Sequence, residues 1–517
     1  MRLRHVTRQS TSRVSPRLGR SSCDESHRTL GFEDATLAEE SHAEYARLEP
    51  RGLKELAQAI AMSGSLRREL TATSAAALVV SNMIGTGIFT TTGFLAGDLG
   101  HPTLVVGIWV AGAIVALTGC LSYAELGINL PRSGGEYVYL REAWGPAWGF
   151  LSGWVSFFAG FAAPIAAGAL AFSGYFGRFL PSLALESSQA SHLGWIKIDN
   201  AHLLSAGVIA LFALINAWGI RPAARIQNVL TALKLAALAA FVILALAIGR
   251  GNWANFRVVA DRTSSHSLGA QFAVSLVFVM FAYSGWNAAN YVAEEVKLPE
   301  RTLPRVIIRG TASVAVLYVL LNVVFVYALP LESLKDVVPV GAAAAAALFG
   351  TVWGAAVSGI IAAGILTSVS AMSLVGPRIY YAMAQDGCFP AGAASVHPRW
   401  RTPYRAVTYQ AMASIAMVLT GTFESLVYYI GFALILFAAL AVAGLMRLRK
   451  RTEWRRLRAV CWCYPAVPAI FILASLWMLV WTLVIRPRES ALGLLTVCCG
   501  GLWYRWKFRS GTPANAK

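Results

Sequence analysis

The segment Ile84-Gly-Thr-Gly-Ile-Phe89 interrupts the first long apolar stretch of the chain, which runs from about Ala72 to Ala96. A second segment, Phe281-Ala-Tyr-Ser-Gly-Trp-Asn287, divides the stretch from about Ala270 to Ala293 in the same way. Lipid offers no hydrogen-bond partner, so an unwound turn at membrane depth survives only where it is buried in protein or lines a cavity. Two such glycine-interrupted segments at matching places in two halves of a chain indicate a solute-binding site.

The composition is that of a helical membrane protein. Only 14% of the 517 residues are charged, whereas soluble proteins average about 25%. The apolar stretches have the length of membrane helices, about 20 residues, and lack the alternation of an outer-membrane barrel. We therefore predict an all-α membrane protein.

Twelve apolar stretches are long enough to be transmembrane helices. They lie near residues 72–98, 103–130, 144–176, 202–220, 226–249, 269–296, 308–330, 352–384, 403–421, 425–447, 461–485 and 490–506. Ala342–Phe349 is expected to form a short helix outside the membrane, and Tyr380–Cys388 a cytoplasmic extension of the eighth span.

The chain outside these spans is short except at its start. Residues 1–70 are predicted to be a disordered cytoplasmic tail, residues 71–510 the membrane domain, and residues 511–517 a short cytoplasmic tail. The Arg- and Ser-rich start also has the composition of an organelle transit peptide, an alternative that the sequence leaves open.

The distribution of Lys and Arg sets the predicted orientation. With the N-terminus inside, cytoplasmic segments carry 35 Lys and Arg and outside loops carry eight. Cytoplasmic loops are enriched in these residues, so both termini are predicted to be cytoplasmic in an inner or plasma membrane. This loop pattern also accounts for the net charge of +18 without nucleic acid. The two interruptions then lie in five-span halves of opposite orientation, as an inverted repeat requires.

The first interruption predicts an anion site built from backbone. Gly85 and Gly87 let the backbone unwind without a Cβ penalty. The half-helix that begins near Ile88 then directs free N–H groups and a positive dipole end towards a carboxylate, and Thr86 adds a hydroxyl. For this segment alone, glycines used for close helix packing explain the pattern equally well.

The second interruption predicts the complementary half of the site. The half-helix that ends at Ser284-Gly285 leaves its last carbonyls unpaired, which suits an ammonium group. These carbonyls belong to Phe281, Ala282 and Tyr283. A carboxylate site facing an ammonium site describes the headgroup of an α-amino acid. Asn287, one turn further on, either touches the solute or bonds across helices.

Lys234 lies in the fifth span, within Thr231-Ala-Leu-Lys-Leu-Ala-Ala-Leu238. A charged Lys at the centre of a helix costs about 2.5–3.5 kcal/mol on insertion scales, so such a residue normally faces a cavity or a partner. Burial favours the neutral form, which would let Lys234 exchange a proton during transport. The alternative is that its side chain snorkels to the cytoplasmic surface.

The sequence contains no pattern typical of an enzyme, a cofactor site or a metal site. None of the eight His residues lies in a metal-ligand pattern, and the seven Cys residues form no ligand framework. No phosphate-binding G-x-x-x-x-G-K-[ST] loop is present, so ATP-driven transport within this chain is not expected.

Four motifs taken together resemble one family. Ile84–Phe89 resembles the first-span signature of the amino acid–polyamine–organocation superfamily. Phe281–Asn287, continuing to Ala293–Pro304, is similar to the L-type amino acid transporter branch of that superfamily. Gly376–Gly387 after span eight and Pro131–Tyr137 after span two are similar to the same branch.

This resemblance, which covers roughly residues 70–510, implies the leucine-transporter fold. That fold is a 5+5 inverted repeat with discontinuous helices 1 and 6, and it works by alternating access. The backbone residues that would bind the substrate carboxylate are Thr86, Gly87 and Ile88. The carbonyls that would bind its amino group are those around Ile84, Phe281, Ala282 and Ser284.

The resemblance also assigns expected roles to three side chains. Phe281 matches the gating aromatic of the family, and Asn287 matches its polar residue in the sixth span. Lys234 matches the fifth-span lysine that stands, in sodium-independent members, where sodium-coupled relatives place an ion. Animal L-type carriers bond to a glycoprotein heavy chain through a Cys between spans three and four. Residues 178–200 contain no Cys, so no disulfide-linked partner is expected.

We therefore predict sodium-independent secondary transport of amino acids, driven by protons or by exchange. One alternative is a polyamine or organic cation carrier of the same fold, which would need several acidic residues in its cavity. Only Glu125, Glu294 and Glu295 lie near a span core, which counts against it. The other alternative is an amino acid receptor that binds its ligand without transporting it.

Overall fold

The computed structural model describes residues 66, 68–176, 191–193, 196–337, 340–420, 423–461 and 463–509. The predictions for the two tails fall almost entirely outside this part of the chain and stay predictions. Regular structure in the described residues is helical, apart from one small antiparallel hairpin. Its strands are β1 (Ser191–Leu193) and β2 (Ile196–Ile198).

The helices follow one another with short connections. Before the second interruption they are α1 (Ala72–Met83), α2 (Gly87–Leu99), α3 (Pro102–Asn129), α4 (Glu136–Trp144), α5 (Pro146–Val155), α6 (Ala163–Phe176), α7 (Asn200–Trp218), α8 (Ile220–Ile248) and α9 (Leu268–Tyr283). A π-helix, Ser156–Ala162, joins α5 to α6.

After the second interruption the helices are α10 (Ala288–Tyr291), α11 (Pro299–Ala328), α12 (Leu331–Leu334), α13 (Val340–Phe349), α14 (Thr351–Val375), α15 (Pro377–Gln385), α16 (Tyr404–Thr420), α17 (Phe423–Leu448), α18 (Arg458–Cys461), α19 (Ala466–Ile485) and α20 (Pro487–Arg509). Three short 3₁₀ turns complete the regular structure, at Trp253–Arg257, Ala293–Glu295 and Ala391–Ala394.

The prediction of an all-α membrane fold is confirmed. Within the described residues, nine helical segments are long and apolar enough to cross a membrane, and α9 and α13 are apolar but shorter. Each of the twelve apolar stretches found in the sequence carries helix. The number of crossings, twelve, stays a prediction.

Local sequence explains where the helices around the first interruption begin and end. The Thr71 hydroxyl accepts a hydrogen bond from the Ser74 N–H and caps α1. Gly100 ends α2 with φ +66°, a left-handed conformation that glycine adopts without strain. The chain leaves helical geometry at residues 84–86, between α1 and α2, which coincides with the glycine signal in the sequence.

The second interruption has a different geometry. The α9 helix ends at Tyr283, residues 284–287 form a turn, and only the single turn α10 follows. Gly285 has φ +94°. The two interruptions are brought together because α1 packs against α8, α11 and α14, while α9 packs against α2, α3 and α19.

The connections between helices gather in two groups. Near one group, Glu125 pairs with Arg449 at 2.6 Å and Glu295 pairs with Arg378 at 2.6 Å. In the other group, backbone hydrogen bonds join Ala260 to Gly100, Asn252 to Tyr327 and Arg250 to Leu348. The first group consists of connections predicted to be cytoplasmic, and the second of connections predicted to lie outside.

Candidate substrate-binding site

A cavity of about 130 Å³ lies between the two interruptions. Its wall combines both interruptions with parts of the π-helix, α6, α14, α17 and α19. The predicted site residues that line it are Gly85, Thr86, Gly87, Phe281, Ala282, Ser284 and Asn287. The predicted site residues outside this lining are Ile84, Ile88, Tyr283 and Lys234.

The two interruptions are in direct contact, and glycine makes this contact possible. A Cβ added to Gly87 would lie 2.8 Å from both Cα and Cβ of Ala282. A Cβ added to Gly285 would lie 2.6 Å from Asn82 Cβ and 2.8 Å from its carbonyl carbon. Both glycines are therefore required by the approach of one segment to the other, in addition to any unwinding they permit.

The Tyr318 hydroxyl joins the ends of the two half-helices. Its Oη lies 2.6 Å from the carbonyl oxygen of Met83 at the end of α1, and 3.0 Å from that of Ala282 near the end of α9. The ring is fully buried and packs on Trp109 and Tyr283, with centroids 5.3 and 5.1 Å away. The sequence gives no signal for this role, because Tyr318 is one aromatic residue within an apolar helix.

The donor side of the cavity is the start of α2. The Thr86 side chain makes no capping hydrogen bond to this helix. No backbone hydrogen bond among the described residues uses the N–H groups of Thr86, Gly87 or Ile88. The first N–H groups of any helix lack intrahelical partners, so these three donors are available to an anion, and the binding of a carboxylate here stays a prediction.

The acceptor side is partly engaged by protein groups. The Ile84 carbonyl accepts hydrogen bonds from Lys234 Nζ at 2.5 Å and from Ser368 Oγ at 2.7 Å. Ser368 Oγ has a single proton and also lies 2.8 Å from the Ser81 carbonyl oxygen, so Lys234 is the constant donor to the Ile84 carbonyl, and a substrate amino group would share this oxygen with it. The Phe281 and Ala282 carbonyls each accept one protein hydrogen bond, from the Ser284 N–H and the Tyr318 hydroxyl. Each of these two carbonyls keeps a second lone pair.

Lys234 is buried, with 4% of its surface exposed. Its Nζ contacts the Ile84 carbonyl and, at 3.3 Å, Ser368 Oγ. Ser368 itself lines the cavity, so Lys234 stands directly behind the cavity wall. The snorkelling alternative does not describe this arrangement, because the amine points to the first interruption and not to a surface.

The two side chains flagged at the second interruption differ in their surroundings. Phe281 is partly exposed to the cavity, consistent with a residue that covers a solute. Asn287 lines the cavity and also bonds across helices, with its Nδ2 donating to Glu136 Oε1 at 3.0 Å and to Tyr291 Oη at 3.1 Å. The structure therefore shows the bonds across helices, and contact between Asn287 and the solute stays a prediction.

Several lining residues could not be identified from the sequence. The apolar part of the wall includes Phe161, Ile365, Val369, Met372 and Ile435. Their helices are evident in the sequence, but which face of each helix meets the cavity depends on packing. Glu136 also lines the cavity, and its only signal in the sequence was its place in the motif Pro131–Tyr137.

Comparisons with known proteins agree with this geometry. Residues 70–499 match the family described as amino acid permease. The human large neutral amino acids transporter small subunit 2 is 29% identical over 443 residues, covering 84% of this chain and 79% of that protein. The human cystine/glutamate transporter is 30% identical over 439 residues, covering 84% of each chain. The serine/threonine exchanger SteT of Bacillus subtilis is 29% identical over 456 residues, covering 86% of this chain and 98% of that protein.

The match extends over both interruptions and nearly all of the described helices, and it confirms the resemblance to the L-type branch. The chain belongs to the amino acid permease family, whose members are multi-pass membrane transporters of amino acids and not enzymes.

Proposed function

We propose that this chain carries zwitterionic amino acids across the membrane by alternating access, without sodium, and by exchange or proton coupling. The observation that carries the proposal is the pair of interruptions around one cavity. The available N–H groups of residues 86–88 suit a carboxylate, and the carbonyls of Phe281 and Ala282 suit an ammonium group.

The position of Lys234 supports independence from sodium. Hard cations take oxygen ligands, and unwound carbonyls coordinate the coupling ion in transporters with broken helices. Here the Lys234 amine already occupies the space beside two such oxygens, the Ile84 carbonyl and Ser368 Oγ. The amine would then change its protonation state or its partner as α1 moves during the cycle.

The lining of the cavity supports neutral amino acids as substrates. Most of the wall is apolar, and Glu136 is the one carboxylate among its described residues. A polyamine would need several carboxylates, so this alternative is not favoured. Two of the relatives are named for large neutral amino acids and for serine and threonine, and one of them is named an exchanger.

The proposed setting is a 5+5 inverted repeat with both termini cytoplasmic. The predicted cytoplasmic connections contact one another, as the pairs Glu125–Arg449 and Glu295–Arg378 illustrate, which supports their placement on one side. The chain is proposed to work without a disulfide-linked heavy chain, since residues 178–200 contain no Cys.

The test uses the full chain, purified alone and reconstituted into liposomes loaded with an unlabelled neutral amino acid. We expect uptake of labelled amino acid with and without sodium, at equal rates. Strict dependence on sodium would refute sodium independence. Uptake of diamines but not of amino acids would identify a polyamine carrier, and saturable binding without uptake would identify a receptor.

Lys234→Met tests the proposed role of the amine, with Lys450→Met, at an exposed position, as the matched control. We expect the exchange rate to fall at least tenfold in Lys234→Met and to stay at the wild-type value in Lys450→Met. A tenfold fall corresponds to about 1.4 kcal/mol of activation free energy. Wild-type exchange by Lys234→Met across the whole pH range would remove Lys234 from the mechanism.

A further inference from the structure

Glu136 is a buried carboxylate at the cavity that lacks a cationic partner among the described residues. It begins α4, is 5% exposed and lines the cavity beside Asn287. Its Oε1 accepts hydrogen bonds from Tyr123 Oη at 2.7 Å and from Asn287 Nδ2 at 3.0 Å. The other buried glutamates of the described chain, Glu125 and Glu295, each bind an arginine through both carboxylate oxygens.

The groups that face Glu136 are neutral. Its titratable neighbours are Tyr123 from α3, Tyr139 from its own helix and Tyr291 from α10, and a tyrosine ordinarily titrates near pKa 10. Asn287 is polar and uncharged. No Lys, Arg or His within the described ranges contributes to the electrostatic environment of this carboxylate.

The surroundings of Glu136 connect it to the second interruption. The Gly134 N–H donates to the Tyr291 carbonyl at 3.1 Å. Gly135, with φ +52°, lies so close to the Tyr291 ring that an added Cβ would be 2.5 Å from it. The turn that presents Glu136 is therefore packed on α10, and the carboxylate itself is bonded to Asn287. A change of charge at Glu136 acts directly on the junction between the turn and the interrupted helix.

We propose that Glu136 is a proton-binding site of the transport cycle. It holds a proton while the turn at 134–136 is packed on α10, and it releases the proton when these segments separate and water reaches the carboxylate. This inference rests on the proposed function and adds a second titrating group to Lys234, beside the second interruption.

The cost of burying an unpaired carboxylate gives the direction of the effect. Glu136 begins α4, which lies between the membrane-spanning segments. Burial raises the pKa of Glu136 to about 7, although the hydrogen bonds from Tyr123, Asn287 and Tyr291 lower it. A glutamate in water titrates near 4.3. The packed arrangement therefore has its full stability below about pH 4.3 and loses population, by up to about tenfold per pH unit, as the pH rises to about 7.

The experiment compares three proteins: the wild type, Glu136→Gln and the control Glu142→Gln. Glu142 lies on the same helix, is exposed and pairs with Arg451 at 3.2 Å. Initial rates of amino acid uptake are measured in proteoliposomes between pH 5 and 8.5. We expect a titration near pH 7 in the wild type and in Glu142→Gln, and its loss in Glu136→Gln. An unchanged pH profile in Glu136→Gln overturns the proposal.

A second readout does not depend on transport. The melting temperature of each purified protein is measured at pH 5 and at pH 8. Glu136→Gln should gain stability relative to the wild type at pH 8 compared with pH 5, since the glutamine carries no charge to bury. If the difference in melting temperature between Glu136→Gln and the wild type is the same at both pH values, the proposal is overturned even when no transport is observed. Failure of this proposal can therefore be distinguished from failure of the proposed function.

Two further outcomes have defined meanings. Selective loss of uptake of amino acids with cationic side chains, with the pH profile intact, would make Glu136 a side-chain ligand and overturn the proton site. Should Glu136→Gln fail to purify as a monodisperse protein, Glu136→Asp takes its place, because it keeps a carboxyl group in a different position. The Asp variant should shift the midpoint of the pH profile, and an unshifted midpoint overturns the proposal.

Discussion

Gly285→Ala tests whether the two interruptions are packed as tightly as the structure shows. Gly285 has φ +94°, which side chains rarely adopt. Its added Cβ would meet Asn82 at three atoms, the Cβ at 2.6 Å, the carbonyl carbon at 2.8 Å and the carbonyl oxygen at 2.9 Å. Two of these are backbone atoms of α1, so the clash cannot be relieved by a change of side-chain rotamer.

The expected cost has two parts. A left-handed conformation costs an ordinary residue about 1–2 kcal/mol, and an extra methyl in a well-packed core typically costs about 1–3 kcal/mol. Together they destabilise the packed arrangement by about 2–5 kcal/mol, a large part of a net stability of about 5–15 kcal/mol. If about 2 kcal/mol of this falls on the binding-competent state, the apparent affinity for substrate falls about 30-fold.

The assay measures substrate affinity and melting temperature of the purified protein, with Gly269→Ala as the matched control. Gly269 lies in α9, and an added Cβ there meets no atom within 4 Å. Alanine at this position should leave both affinity and melting temperature close to the wild-type values, because Gly269 lies in the first turn of the helix and the added Cβ meets no other atom. Wild-type affinity and melting temperature in Gly285→Ala would show that the second interruption does not lie against Asn82, and the geometry of the site would be wrong.

Two other substitutions test the contacts around the site. Tyr318→Phe should weaken substrate binding and lower the melting temperature, at a cost of about 1–3 kcal/mol, because a carbonyl at an interruption loses its donor; equal binding by both proteins would contradict this role. Arg378→Met should destabilise the protein by about 3–5 kcal/mol by leaving Glu295 buried and unpaired. The double variant Arg378→Met/Glu295→Leu should recover most of that loss in a thermal unfolding assay.

The sequence predicted the interruptions because the constraint that creates them is local. Gly85 and Gly285 interrupt apolar helices, and an interrupted helix in a membrane must be buried in protein or line a cavity. Buried charge imposes a similar constraint, and in the structure Glu125 pairs with Arg449 and Glu295 pairs with Arg378. In each case the residue type alone implies a polar or charged group that would be unpaired in the membrane, and the fold must supply a partner for it.

The sequence could not predict which atoms satisfy one another across the bundle. The Ile84 carbonyl was expected to bind the substrate amine, yet it is bonded by Lys234 and Ser368, which are 150 and 284 residues away in the chain. The role of Tyr318 and the missing cation at Glu136 also depend on neighbours from distant helices. Helix positions follow from hydropathy, whereas these contacts follow from the rotation of each helix about its axis, which an almost uniformly apolar sequence does not specify.

The Tyr318 hydroxyl offers a physical route from substrate binding on one interruption to the other. A hydroxyl has one proton, and here that proton is shared between the Met83 carbonyl at 2.6 Å and the Ala282 carbonyl at 3.0 Å. An ammonium group can bond to the second lone pair of the Ala282 carbonyl while the hydroxyl stays in place. The end of α9 would then remain tied to the end of α1 through Tyr318 while it holds substrate. Tyr318→Phe removes this coupling while Gly285→Ala removes the packing, so only the former should leave substrate binding weaker without changing the contact between the two segments.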